Sequence, residues 1–263
     1  MKDELAIAIE AALKAGKEIL SIYEQENIDV EIKGDNSPLT KADKAAHKVI
    51  AELLLKTNFP LLSEEGKDFP YEERKSWKQF WLVDPLDGTK EFISRNGEFT
   101  VNIALIDEQQ PVLGVVYVPV LDELFFGTIQ EGGFYLKKAS SYSSDLNALL
   151  KQAIKLPKAN SSEVYKVVGS RSHMNEQTTD FIKELEKQHP KIEIVQRGSS
   201  LKICMVASGE ADIYPRFGPT MEWDTAAGHA VIKSVGKKLY EPETKDELVY
   251  NKENLLNSFF IAQ

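Results

Sequence analysis

The sequence predicts a layered α/β protein built in two halves. Three observations predict it: apolar residues at helical spacing open the chain, apolar or alternating segments fill its middle, and short apolar strands alternate with helical patterns towards its end. At 263 residues the chain can form one large domain, or two that share a core.

Leu5, Ile9, Ala12, Leu13, Gly16, Ile19, Leu20 and Tyr23 recur with helical period, predicting a helix over 3–26. A short strand at 29–33 and the polar break Gly34-Asp-Asn-Ser-Pro38 follow. Thr40-Lys-Ala-Asp43 reads as a capping box with Asp in place of Glu, opening a second helix that runs to about residue 56. Residues 60–63 are a short apolar segment ending in Glu64-Glu65-Gly66, and the apolar run 80–83 reads as a buried strand. Runs at 99–106, 111–117 and 123–128, then a tight turn at Gly132-Gly133, predict an antiparallel meander. Residues 137–162 are rich in Ser, Lys, Ala and Asn and are the expected junction, giving an N-terminal α+β half over 1–140 and a C-terminal α/β half over 141–263. In the second half, strands at 165–169, 191–195 and 211–214 alternate with helices at 175–188, 200–208 and 225–235.

The net charge is −9, with 41 acids against 32 bases, which argues against a nucleic-acid surface. An anionic substrate would then need local cations, supplied by metal ions or a few placed Lys and Arg. Cys204 is the single cysteine, so no intramolecular disulfide or thiolate metal cluster forms; its neighbours Ile203, Met205 and Val206 suggest a packed, inert thiol. Met1-Lys-Asp-Glu opens an amphipathic helix and not a signal peptide. No apolar stretch approaches the roughly 18 residues of a membrane span. The expectation is a soluble, cytoplasmic protein.

The chemistry concentrates at Trp81-Leu-Val-Asp84-Pro-Leu-Asp87-Gly-Thr89, where a buried strand ends in two carboxylates three residues apart. Charge at such a place is costly unless neutralised, and a hard divalent cation does so with oxygen ligands. Glu64-Glu65 and Trp223-Asp224 place further carboxylates where regular elements start or stop. Together they would form an all-oxygen set suited to Mg²⁺, Mn²⁺ or Ca²⁺ and not Zn²⁺. Two such ions about 4 Å apart could clamp a phosphoryl group and activate water. Gly88 and the N–H groups from Thr89 onwards offer contacts to phosphate oxygens, and the Thr89 hydroxyl could hold the water. Each motif alone also has a plainer reading: a turn for Asp-Pro-x-Asp-Gly, a helix cap for Asp224, a solvated loop for Glu64-Glu65. Their joint occurrence beside apolar segments favours a site. The i, i+3 spacing of Asp84 and Asp87 does not match the i, i+2 pair of phosphatases that use a covalent aspartyl nucleophile.

Asp84-Pro-Leu-Asp87-Gly-Thr89-Lys-Glu-Phe-Ile93, Ser63-Glu64-Glu65 and Trp223-Asp224-Thr-Ala-Ala-Gly228 resemble, in order and spacing, the signatures of the lithium-sensitive, magnesium-dependent inositol monophosphatase superfamily. Leu86 with Lys90-Glu91-Phe92, and Asn96-Gly-Glu-Phe-Thr-Val-Asn-Ile-Ala104, are similar to its bacterial 3′(2′),5′-bisphosphate nucleotidase branch. That branch removes the 3′-phosphate of adenosine 3′,5′-bisphosphate, a by-product of sulfate assimilation, leaving AMP. The inositol-specific branch more often reads Asp-Pro-Ile-Asp-Gly-Thr-Thr-Asn-Phe.

The resemblance implies an αβαβα layered sandwich, sugar-phosphatase-like, whose halves share an active-site cleft. It implies two Mg²⁺ ions, with Mn²⁺ able to substitute, held by Glu64, Asp84, the Leu86 carbonyl, Asp87 and Asp224. Asp43, otherwise only a capping acid, would pair with Thr89 to orient and deprotonate water, with Glu64 as the alternative carboxylate. Glu65 would lie behind the ligands or hold a third, weakly bound magnesium through water. Substrate contacts would come from Glu64, Leu86, Asp87, Gly88, Thr89 and Asp224 around the phosphate. Ser170, His173, Ser199, Lys202 and Arg216 would serve the nucleotide, Lys202 and Arg216 supplying cations for a 5′-phosphate. Lys202 reads equally as a helix surface residue, Ser170 as a turn former and His229 as a packed helix residue. The implied partner is a small-molecule bisphosphate nucleotide, and the implied state a monomer or homodimer. The branch also allows peripheral association with the inner membrane, although no lipid-binding helix is visible. An inositol or sugar phosphatase with the same metal core is the main alternative; a non-catalytic metal or nucleotide sensor is another, against which the complete water-activating set argues.

Overall fold

Two helices form the outermost layer. In the computed structural model, which describes residues 1–25, 30–32, 38–141, 145–158, 164–170 and 175–263 (backbone only at 30–32, 38–39 and 170), α1 spans Lys2–Tyr23. It buries Leu5, Ile9, Ala12 and Ile19, the face its spacing predicted. β1 (Val30–Ile32) pairs antiparallel with β2 (Pro38–Thr40), which leads into α2 (Lys41–Leu54). The capping box forms as read: the Asp43 carboxylate accepts from the Thr40 N–H at 2.8 Å and the Thr40 hydroxyl at 2.5 Å.

Beneath these helices lies a seven-stranded sheet with its strands in chain order. It comprises β3 (Leu61–Ser63), β4 (Gln79–Asp87), β5 (Thr100–Asp107), β6 (Gln110–Val118), β7 (Glu123–Thr128), β8 (Gly132–Lys137) and β9 (Ile154–Lys155). Short helices α3 (Tyr71–Arg74), α4 (Thr89–Ile93) and α5 (Leu146–Gln152) lie between strands. Only β3 and β4 run parallel; the rest is the predicted meander. Period-two alternation serves two cores. Trp81, Val83, Val101, Ile103 and Leu105 meet α1 and α2, whereas Phe80, Leu82, Ala104 and Ile106 face the other way. Gly132-Gly133 does not make the tight turn expected of it: both glycines already pair with Thr128 and Gly127, and the turn lies at 129–131. The expected junction contains α5 and β9, the latter the last strand of this sheet.

The second half supplies a helix layer, then a strand layer, then a helix. α7 (Leu201–Ser208) and α8 (Glu222–Ser234) pack on the sheet face of Phe80 and Leu82. Behind them β10 (Tyr165–Ser170) pairs in parallel with β11 (Ile192–Arg197). β12 (Tyr214–Arg216) and β13 (Leu239–Tyr240) flank β14 (Phe260–Ala262), and a Val167–Ile213 bridge joins β10 to this group. α6 (Glu176–Glu186) covers the outer face through Ile182 against Val167, Ile213 and Ile261. The layers are therefore αβαβα. Every residue of α7 is buried, Cys204 included, and burial pushes its thiol pKa up, as fits an inert side chain. α8 begins at Glu222, so Asp224 sits in its first turn and is not its N-cap; β12 begins three residues later than the sequence suggested. Among the described residues no helix is long and apolar enough to cross a membrane.

Candidate active site

β4 delivers both acids of the central motif to one face. In a regular strand, residues three apart point to opposite sides. Here Asp84 pairs with Asn102 and Asp87 with Thr100, so three steps along β4 match two along β5. The resulting bulge at Pro85-Leu86 brings both carboxylates onto the face of Thr100 and Asn102, towards α7 and α8. Pro85, which has no N–H, sits where the ladder is already interrupted. Asp84 Oδ1 accepts the Leu86 N–H at 3.0 Å.

Gly88 follows at φ 92°, a left-handed conformation that favours glycine; a Cβ there would lie 3.2 Å from Glu91 Oε2 and Ser199 Cβ. It starts α4, whose Thr89 hydroxyl lies 3.4 Å from Asp43 Oδ1 and 3.5 Å from the Leu86 carbonyl. Glu64 emerges from β3 beside Asp84, its N–H donating to the Val83 carbonyl at 3.1 Å. One turn beyond Asp43, His47 Nδ1 lies 2.9 Å from Ser63 Oγ, tying α2 to this loop; the Glu65 charge acts on the same imidazole.

From the opposite side, Ser200 at the start of α7 donates its N–H to Asp87 Oδ2 at 2.6 Å, with its hydroxyl 2.8 Å from the same oxygen. That hydroxyl also meets the Asp224 carbonyl. Asp224 Oδ2 accepts the Met221 N–H at 2.8 Å. Glu64, Asp87, Gly88, Thr89 and Asp224 thus line one cleft of about 430 Å³. Ser199, Lys202 and Arg216 form another part of its wall. Asp43, Asp84 and Leu86 are buried and are not among its lining residues. Ser170 ends β10 and its side chain is outside the description; His173 lies outside the described residues altogether.

The electrostatics show what the cluster would accept. Asp84 is 2% exposed, and its pKa is raised well above the carboxylate range by burial first, then by the charges of Glu64, Asp87, Asp224 and Asp43. Asp224 is raised likewise, by burial and then by Asp87. Carboxylates forced together in this way call for a cation, and an all-oxygen donor set fits Mg²⁺. Among the described residues no three such side chains already close on a single point as a finished cage. Asp84, Asp87 and Asp224 each hold a backbone N–H donor on one carboxylate oxygen.

The cations lie close by. Lys202 is 6% exposed, not the surface residue it could have been, and donates to the Ser199 carbonyl at 2.6 Å. Burial lowers its pKa to about 8, against the pull of Asp87. Arg216, 9% exposed, donates to the Pro219 carbonyl at 3.0 Å, while its buried Nε has no hydrogen-bond partner. His229 is a packed helix residue as read, between Tyr250 and Glu247.

The sequence points to no role beside the acidic cluster for Thr100, Asn102 or Ser200, all of which bond around Asp87. The available signal was two polar residues at i, i+2 in an otherwise apolar strand, a pattern that puts both on one buried face.

The sequence model of the inositol monophosphatase family matches residues 1–259. The chain belongs to the inositol monophosphatase family. Within that family it is similar to the 3′(2′),5′-bisphosphate nucleotidase CysQ of Shigella flexneri, with 45% identity over 253 residues, 95% of each chain. The crystal structure of CysQ from Bacteroides thetaiotaomicron superposes with a TM-score of 0.94 at 48% identity, covering 100% of this chain and 97% of that one. The extragenic suppressor protein suhB of Bartonella henselae, at 24% identity, shares the fold with a TM-score of 0.75, covering 99% and 93% of the two chains. Both solved structures share the layered α/β architecture described above.

Proposed function

We infer that this chain is a metal-dependent phosphatase that removes the 3′-phosphate of adenosine 3′,5′-bisphosphate. Inositol monophosphatases and CysQ enzymes are metal-dependent phosphatases, generally using Mg²⁺. The observation that carries the substrate reading is the placement of two buried cations, Lys202 and Arg216, in the same cleft as Glu64, Asp87, Thr89 and Asp224. A cleft lined by both acids and buried cations suits a ligand with two phosphates, one met through a metal ion and one met directly by Lys202 and Arg216. Tyr214, Trp223, Leu256 and Phe260 add apolar lining that suits a purine ring.

In this reading Glu64, Asp84, the Leu86 carbonyl, Asp87 and Asp224 hold two Mg²⁺ ions, with Mn²⁺ as a substitute and Glu65 near a third. Bound magnesium neutralises the acids, polarises the phosphoryl group and lowers the pKa of water. Thr89 donates its hydroxyl hydrogen to Asp43 Oδ1, so its oxygen is left to accept a proton from the attacking water. As the water oxygen bonds to phosphorus, that proton passes to Thr89 and the Thr89 proton to Asp43. The bond from phosphorus to the ribose 3′-oxygen breaks, and the alkoxide takes a proton from solvent. Thr40 holds the other Asp43 oxygen and keeps the acceptor aimed at Thr89. Gly88 and the following N–H groups seat the departing phosphate, and Lys202 and Arg216, with Ser199, Ser170 and His173, hold the nucleotide. The division into halves 1–140 and 141–263 belongs to this proposal, with Asp224 reaching across from the second half. So do a cytoplasmic location, its peripheral-membrane variant and a monomer or homodimer.

Phosphate release from adenosine 3′,5′-bisphosphate, inositol 1-phosphate and fructose 1,6-bisphosphate tests the reading. The bisphosphate nucleotide should give the highest kcat/KM. A preference for inositol phosphate would move the chain to the inositol branch, and Mg²⁺-dependent nucleotide binding without phosphate release would make it a sensor.

A further inference from the structure

Three alternate side chains of the first half meet three consecutive residues of the second in matched order. Glu98 Oε2 accepts the Gly198 N–H at 2.8 Å, Thr100 Oγ1 lies 2.7 Å from Ser199 Oγ, and Asn102 Nδ2 donates to Ser200 Oγ at 2.9 Å. The approach is close: a Cβ on Gly198 would lie 2.7 Å from Glu91 Cγ and 2.8 Å from the Glu98 carbonyl. Ser199 then takes φ 51°, and Ser200, 3% exposed, starts α7.

Ser200 has one hydroxyl hydrogen and two acceptors within reach, the Asp87 carboxylate and the Asp224 carbonyl. Asn102 donates into the hydroxyl oxygen, so that hydrogen is directed at those acceptors. Asp87 ends a strand and Asp224 lies in the first turn of a helix, with no other described hydrogen-bonding side chain common to both.

We propose that Ser200, oriented by Asn102, is the positioning residue that sets the spacing of Asp87 and Asp224 for the cation. The inference rests on the metal-site reading above. Ser200 acts through Asp87 and Asp224 and takes no proton in the reaction. Partners of this kind, one bond removed from a ligand, change metal affinity by about 10–100-fold when removed.

The test is a Mg²⁺ titration of the metal-free full-length protein read by its melting temperature, which needs no turnover. Ser200→Ala should raise the Mg²⁺ concentration for half the thermal shift by about tenfold or more. Saturating Mg²⁺ should bring kcat back towards the wild-type value. A residue that only stabilises the fold would lower the metal-free melting temperature and leave the Mg²⁺ midpoint in place, and that result overturns the proposal. If Ser200→Ala gives no cooperative melt, Asn102→Ala, which keeps the Ser200 hydroxyl but removes its orienting donor together with Asn102's own 3.3 Å contact to Asp87 Oδ2, is titrated in the same way. Its Mg²⁺ midpoint should rise, and an unmoved midpoint is again refuting. If the wild-type protein itself shows no Mg²⁺-dependent rise, the metal-site reading fails first, which separates the two failures.

Discussion

Asp43 serves a helix and, in the proposed reaction, a proton. One carboxylate oxygen closes the cap of α2 on Thr40, and the other lies 3.4 Å from the Thr89 hydroxyl. Asp43→Asn retains an acceptor for the cap but removes the base, so melting should change by only a few degrees while kcat falls roughly 10²–10⁴-fold. Turnover that stayed near wild type in a phosphate-release assay would take Asp43 out of the path of the water. Lys202 should show the opposite signature, because in the proposed reaction it serves binding and not the proton. A hydrogen bond from a charged group contributes about 1.5–3 kcal/mol, so Lys202→Ala should raise KM for adenosine 3′,5′-bisphosphate by roughly 10- to 100-fold. KM for inositol 1-phosphate should rise less; equal rises would show that Lys202 does not read a second phosphate.

At the scale of elements, α8 carries the argument. Glu222, Thr225 and His229 share one face of it and are bonded to the irregular segment that follows: Glu222 accepts the Asn251 N–H at 2.6 Å, and His229 Nε2 lies 2.9 Å from Glu247 Oε1. These contacts fix the helix whose first turn holds Asp224. Burial lowers the His229 pKa from 6.5, and the His229 and Lys233 contacts hold Glu247 down from 4.5 to about 2. Both folded values lie below the unfolded ones, so the unfolded chain binds more protons as the pH falls. Their stabilisation is therefore present above pH 6.5 for His229 and above 4.5 for Glu247, and is lost on acidification through the folded values. Glu247→Gln should melt lower at neutral pH and show a shallower decline of melting temperature below pH 4.5. Parallel declines would place the acid sensitivity elsewhere. The same helix shows what was legible in the sequence. Its apolar spacing revealed its existence, as it did for α1, α2 and the meander, because burial on one face writes a period into the chain. Its partner segment has no period, since it is held by polar contacts to Glu222 and His229. The β4 bulge was hidden for a related reason: Asp-Pro-Leu-Asp alone puts its acids on opposite faces, and only the register with β5 brings them together. Ser200 gains its meaning from Asn102 and Asp87, 98 and 113 residues away along the chain.

Across the whole molecule, the candidate site draws on every layer but one. Asp43 comes from the outer helices, Glu64, Asp84 and Asp87 from the main sheet, Asp224 and Lys202 from the inner helices, and Arg216 from the second strand layer. A cation held by such a set binds only the assembled fold, so its binding free energy adds directly to stability. At a Mg²⁺ concentration of about 100 times Kd the gain is roughly 2.7 kcal/mol, which for a chain of this size corresponds to roughly 5–10 °C. Removing the metal with a chelator should reverse the shift without loss of helix or sheet content, because both main cores are apolar and independent of the acids. Asp84→Asn separates the two terms. It removes a buried carboxyl whose ionisation burial and four other carboxylates oppose, so the metal-free variant should melt above metal-free wild type while losing most of the Mg²⁺-dependent rise. A metal-free variant that melts lower than wild type and still gains the full shift from Mg²⁺ would mean that Asp84 repels no neighbours and holds no ion, and the cation would have to be sought outside this cleft.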